Sequence, residues 1–195
     1  MKIVVCAPDA LLAELKDVKQ HFSTCSKEEV RDLKTDVLIY LFEDGTELTF
    51  KGSTYALINS VVLPVKNSCD HKNILRINGW PGFVQRECWE VAGEIDPIIE
   101  ETAKLLGKRL FKCADTPGFT SARILSMIIN EAFFAKEENI SSESEIDTAM
   151  KLGTGYPYGP FEWAEKIGLK KISDLLHVLS VNDSRYTPSK SLAYL

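Results

Sequence analysis

The sequence predicts an α/β N-terminal domain over residues 1–114 and an all-α C-terminal domain over residues 115–195. Three observations carry this. Short apolar runs rich in β-branched residues recur before Asp115 and read as buried strands. Helical patterns alternate with them, as in α/β folds. After Asp115 helical patterns follow one another, punctuated by Gly and Pro.

In chain order, KIVVC at 2–6 is the first strand. Pro8 and Asp9 turn the chain, and LLAELKDV at 11–18 has helical character. TDVLIYLF at 35–42 is a second strand, ended by Glu43, Asp44 and Gly45. TELTF at 46–50 alternates and reads as a short strand or hairpin arm. YALINSVVLPV at 55–65 is another strand, interrupted by Asn59 and Ser60. ILRIN at 74–78 and CWEVAG at 88–93 are the next strands. In EIDPIIEETAKLLGKRLFKC at 94–113, Asp96 is a helix N-cap. Pro97 takes the first helical position, where its missing N–H costs nothing. Gly107 closes that helix and RLFKC is extended. TSARILSMIINEAFFAKEE at 120–138 is one unbroken helix. Its apolar positions are so dense that other helices or a second subunit must cover both sides. Ser142 and Glu145 form a capping box for SEIDTAMKLG, closed by Gly153. TGYPYGPF is a rigid turn, Gly159 and Pro160 open FEWAEKIG, Gly168 closes it, and KKISDLLHVLS is a further helix.

Composition narrows the function classes. Hydrophobic residues are 45% and charged residues 26%, ordinary for a globular chain. The net charge is −5 with 23 basic residues scattered, not the clustered Lys and Arg that bind nucleic acid. Cys6, Cys25, Cys69, Cys88 and Cys113 form no C-x-x-C pair, so no metal site is expected. Their odd number, and an N-terminus MKIVVCAPDA without signal-peptide layout, lead to reduced thiols in a cytoplasmic protein. No apolar run reaches the roughly 18 residues of a membrane helix.

The stretches DTPGFTSARIL, NEAFFAKEE, EIDTAMKLGTGYPYGPFEWAEKIGL and RYTPSKSL resemble the C-terminal helical domain of the 3-hydroxyacyl-CoA dehydrogenases. The block from Ile146 to Leu169 is the most specific. The likeness is strong over 115–195 and looser back through the helix at 96–107 to the strand at 74–78 and some N-terminal strands. It implies a Rossmann-like NAD-binding domain, here truncated, followed by a helical domain that makes a homodimer and closes on an acyl-CoA. The family's chemistry is hydride transfer from the hydroxyl carbon of a 3-hydroxyacyl-CoA to nicotinamide. A His removes the hydroxyl proton and a Glu orients that His. Hydride cannot leave unless the alkoxide forms, and a His near neutral pH is the right base.

The sequence departs from this pattern in INGWPGFVQRECWE at 77–90. The family's His opens a His-Phe-Phe-Asn-Pro motif, with the Glu twelve residues later. Glu90 stands in the matching WEV, and twelve residues before it is Asn78, whose amide does not accept a proton at physiological pH. In PGFTSAR, Ala122 takes the place of an Asn that polarises substrate. INSVV keeps Asn59 and Ser60 of the family's Asn-Thr-Ser-Ser loop, with Val61 for one hydroxyl, so Ser60 is the nearest retained hydroxyl. Trp80, exposed-looking in its Gly-Pro-Gly bend, would wall a substrate cleft with Phe83 and Ala122; a core position for Trp80 and Phe83 is the slightly favoured alternative. Asn78 beside Gly79 also reads as a turn former, and Glu90 as a solvated strand residue. His21, His71 and His177 lack the neighbours of a catalytic His; His71, closest in sequence to Asn78, is the conceivable substitute base. Lys2, Lys66, Lys72 and Arg76 either reach CoA phosphates or are simply solvated.

The cofactor end departs further. A dinucleotide diphosphate needs G-x-G-x-x-G after the first strand, so that backbone can approach it at a helix N-terminus. CAPDALLAEL contains no glycine; side chains at Ala7, Asp9 and Leu11 crowd that corner, and Asp9 repels an anion. HFSTCSKEEVRDLKT holds no convincing second strand to carry the acidic ribose partner. The expectation is a non-catalytic homodimeric relative with no cofactor and an acyl-CoA-like ligand. The alternative is an active dehydrogenase using NAD.

Overall fold

The computed structural model describes residues 1–42, 55–64 and 73–194. The strand end at Glu43–Gly45, the TELTF arm, Lys66, Cys69, His71 and Lys72 lie outside the described residues. The chain divides into two compact units, Met1–Phe119 and Thr120–Leu195. The first unit runs past the expected boundary at Asp115 because Arg76, inside its sheet, holds Asp115, Thr116 and Phe119.

The N-terminal unit is built on a seven-stranded sheet of order β2-β1-β3-β4-β5-β6-β7. The strands are β1 (Ile3–Cys6), β2 (Ser23–Thr24), β3 (Val37–Tyr40), β4 (Tyr55–Asn59), β5 (Ile74–Ile77), β6 (Cys88–Ala92) and β7 (Arg109–Lys112). All neighbours are parallel except β5 and β6. Burial on both faces explains the continuous apolar runs. On β3, Val37 and Ile39 point into a core with Leu11 and Leu15, and with Ile99 and Leu106. Leu38 and Tyr40 point into the opposite core with Cys6, Val30 and Ile58.

Three expectations in this unit change. The helix expected at 11–18 is α1 (Asp9–Ala13) followed by a 3-10 turn over Lys16–His21. The segment read as strand-free does contain a strand, but of only two residues, Ser23–Thr24, paired with β1. The strand read over 55–65 stops at Asn59. It stops there because the carbonyls of Ser60 and Val61 turn to the Arg76 guanidinium, at 2.7 and 3.1 Å, instead of to a neighbouring strand. Helix α2 (Pro97–Leu105) begins as expected: the Asp96 carboxylate accepts the Ile98 amide at 3.1 Å, with Pro97 in the first turn.

The C-terminal unit is helical: α3 (Ser121–Glu137), α4 (Glu143–Thr154), α5 (Pro160–Ile167), α6 (Leu169–Ser180) and α7 (Lys190–Ala193). The capping box at α4 is complete, with Ser142 and Glu145 bonded reciprocally. Its C-terminus differs from expectation: Gly153 lies within the helix, and Gly155, at φ +69°, makes the left-handed turn that ends it. α5 closes at Gly168 as expected, at φ +102°.

Candidate functional site

The 77–90 stretch leaves β5, bends, and returns as β6. Backbone pairing sets its register: the Asn78 amide donates to the Glu90 carbonyl at 3.1 Å. That puts the two side chains together, and Asn78 Nδ2 donates to Glu90 Oε2 at 2.9 Å. Both residues are buried, at 3% and 9% exposure. Asn78 Oδ1 also accepts the Trp80 amide at 3.4 Å. Glu90 therefore holds an amide, and it is not a solvated strand residue. The Asn78 amide can orient and donate, and unlike an imidazole it does not take up a proton near neutral pH.

The bend is fixed from several sides. Asn59 Oδ1 accepts the Gly79 amide at 3.1 Å, while its Nδ2 donates to the Leu41 carbonyl at 3.2 Å. A Cβ on Gly79 would lie 2.8 Å from Asn59 Cγ, so the close approach requires glycine. Glu14, in the segment after α1, accepts the Gly82 and Gln85 amides at 2.6 and 3.2 Å. Lys108 donates to the carbonyls of Val84, Gln85 and Arg86 at 3.0–3.1 Å. An anion thus sits on the amide end of the turn and a cation on its carbonyl end. Burial lowers the affinity of the Lys108 amine for its proton, against the pull of Glu14, Glu87 and Asp17. Neither Glu14 nor Lys108 stands out in the sequence, since nothing local marks a side chain that caps a turn about 70 or 20 residues away.

The remaining candidates are placed as follows. Trp80 is not exposed but 1% accessible, and Phe83 is 4% accessible. Ala122 is fully buried in the first turn of α3. Ser60 Oγ donates to the Leu63 carbonyl at 2.7 Å. His21 and His177 are exposed, and His177 Nδ1 lies 2.9 Å from the Ser173 carbonyl. Arg76 is not solvated: it is fully buried, donates to Ser60, Val61 and Thr116 carbonyls and pairs with Asp115 at 2.5 Å. Burial pulls its pKa down, opposed by Asp115. Lys2 Nζ donates to the Lys34 carbonyl at 2.9 Å.

At the end of β1, Leu41 donates its amide to the Cys6 carbonyl at 2.8 Å, and the Pro8 carbonyl receives the Leu11 and Leu12 amides. Pro8 has no N–H to offer at this corner. Asp9 brings a carboxylate into the first turn of α1, which is only five residues long.

The C-terminal unit explains its own most specific block. Asp147, 8% exposed on α4, accepts the Phe161 and Glu162 amides at 2.8 and 3.2 Å and so caps α5 from a neighbouring helix. Gly159 passes so close that a Cβ there would lie 2.3 Å from Asp147. Glu162 returns to the Gly159 amide at 2.9 Å and pairs with Lys151. Asn130 of α3 holds the Thr187 carbonyl and the Ser189 amide at 2.9 and 2.8 Å. Asp, Lys, Gly-Pro and Glu at these spacings are the parts of one helix junction.

Residues 118–194 match the family model of the 3-hydroxyacyl-CoA dehydrogenase C-terminal domain. The C-terminal unit belongs to the 3-hydroxyacyl-CoA dehydrogenase family. The chain is 43% identical over 88 residues to 3-hydroxyadipyl-CoA dehydrogenase of Escherichia coli, covering 44% of this chain and 18% of that protein. It is 44% identical over 97 residues to the human mitochondrial hydroxyacyl-coenzyme A dehydrogenase, covering 48% and 31%. The chain thus spans less than a third of either relative's length. The crystal structure of an (S)-3-hydroxybutyryl-CoA dehydrogenase from Ralstonia eutropha superposes with a TM-score of 0.71 at 19% identity, covering 98% of this chain and 92% of that one. That likeness extends the dehydrogenase fold, Rossmann-like sheet followed by helical domain, to the N-terminal unit. No helix among the described residues is long and apolar enough to cross a membrane, and none of their His, Cys, Asp and Glu residues gather as a metal site.

Proposed function

We propose that this 3-hydroxyacyl-CoA dehydrogenase-like protein is a non-catalytic relative that binds an acyl-CoA or a similar small molecule as a homodimer. The observation that carries this reading is the buried Asn78–Glu90 pair, with an amide hydrogen-bonded where the resemblance implies an imidazole. Loss of a general base alone costs a rate factor of about 10²–10⁴. The residues at the end of β1 do not fit a dinucleotide diphosphate. Pro8 lacks an N–H, Asp9 supplies like charge, and Ser23–Thr24 is too short a strand to present a ribose partner.

The homodimer is supported by the surface of the helical unit. A groove of about 610 Å³ includes Ile124, Met127, Ile128 and Ala135 of α3 along its wall. Ile124 is 55% exposed. Arg123 and Glu131 lie equally far on either side of Met127, so a two-fold axis through Met127 would set each Arg123 against the partner copy's Glu131.

Thermal shift separates the two readings, since only a ligand of the folded state raises Tm. Acetoacetyl-CoA raises Tm and NADH at sub-millimolar concentration does not. A clear shift with NADH, or NADH-dependent turnover of acetoacetyl-CoA by the unmodified protein, overturns the proposal in favour of an active dehydrogenase.

A further inference from the structure

We propose that Cys6 and Cys25 are a thiol–disulfide pair that locks β2 onto β1. The register of the parallel pair β1–β2 sets Val4 against Ser23 and Val5 against Thr24, so the next residues, Cys6 and Cys25, stand opposite each other. The ladder continues to that point, for the Cys25 amide donates to the Val5 carbonyl at 3.3 Å. In-register residues of parallel strands project to the same face, and both cysteines pack into the core that holds Val30, Leu38 and Tyr40. The two thiols are in hydrogen-bond contact. Neighbouring strands lie about 4.8 Å apart, within the roughly 4.4–6.8 Å that a disulfide spans between α-carbons. Among the described cysteines, Cys6 is buried and Cys25 half-buried, so an external reagent meets Cys25 first.

The reaction balances with a low-molecular-weight disulfide as oxidant. The Cys25 thiolate attacks oxidised glutathione, forming a mixed disulfide and expelling one glutathione thiolate. The Cys6 thiolate then attacks Cys25 Sγ and expels the second. Two protein thiols are oxidised, one glutathione disulfide is reduced, and two protons pass to solvent or to the leaving thiolates. Burial, with Glu29 acting in the same direction, holds the Cys25 thiol above its ordinary pKa despite the Cys6 hydrogen bond. The pair is therefore a slow lock rather than a reactive nucleophile. The bridge encloses the segment that carries α1 and Glu14, whose carboxylate anchors the Gly82 and Gln85 amides. Oxidation thereby restricts the strand edge and the anchor of the Asn78 loop together. This is independent of the ligand proposed above.

The test incubates the folded chain with oxidised glutathione, blocks remaining thiols and digests with trypsin. The expected product is IVVCAPDALLAELK (3–16) joined to QHFSTCSK (20–27), with Tm several degrees above the reduced form. Cys25→Ser loses both the joined peptide and the Tm rise, while Cys88→Ser, changed at an exposed thiol, keeps both. Recovery of Cys25 solely as its glutathione adduct, a bridge to another cysteine, or a joined peptide with unchanged Tm overturns the proposal.

Discussion

Asn78 and Glu90 form a hydrogen-bonded pair with one donor and one acceptor, both buried. Asn78→Asp would place two carboxylates at that distance and remove the donor. Leaving a buried partner unsatisfied costs about 1–3 kcal/mol, and like charge adds to it. The new pair recovers its hydrogen bond by sharing one proton, so the loss is largest at neutral pH and shrinks as pH falls. Urea midpoints at pH 7 and pH 4.5 check this; an equal loss at both would refute it. Gly79→Ala is expected to cost about 1–3 kcal/mol, since Asn59 is anchored at both ends and cannot yield. The spacing of Asn78 and Glu90 was readable in the sequence. A core position for Trp80 was already the slightly favoured reading, although its Gly-Pro-Gly bend looks exposed, and Glu14 and Lys108 are what hold that bend down.

At the level of elements, the junction of α4 and α5 rests on Asp147. Asp147→Ala removes two amide partners at once and is expected to cost about 2 kcal/mol, with Asp147→Asn intermediate, read from chemical denaturation. The α4 capping box predicts a pH effect. Glu145 receives the Ser142 hydroxyl and amide and the Ser141 hydroxyl, which lower its pKa to about 2 from 4.5. Because the folded value is depressed, its contribution is complete above the unfolded pKa near 4.5 and fades as pH falls towards about 2. The stability difference between wild type and Glu145→Gln should vanish across that window, and a difference unchanged at pH 2 would contradict the assignment. Caps such as Asp96 and Ser142 are legible because they are local. Asp147 was legible only as part of a recognisable block, since its acceptors serve a different helix.

The whole molecule depends on ties that sequence distance hides. Arg76 gathers Ser60, Val61, Asp115 and Thr116, so Arg76→Met is expected to destabilise the N-terminal unit by about 3–5 kcal/mol, leaving Asp115 unpaired. Light scattering is expected to give a mass of two chains, reduced to one by Met127→Glu at the proposed axis; a wild-type mass of one chain would remove the dimer. The sequence by itself determined the alternation of strand and helix, the capped starts of α2 and α4 and the likeness of residues 115–195 to a dehydrogenase domain, because periodicity, caps and contiguous motifs are local properties. Tertiary structure alone decided that Arg76 is a buried tie instead of a phosphate ligand and that Cys6 faces Cys25. Those outcomes depend on which distant backbone atoms and side chains the sheet register brings within bonding distance, and composition and spacing do not encode that register.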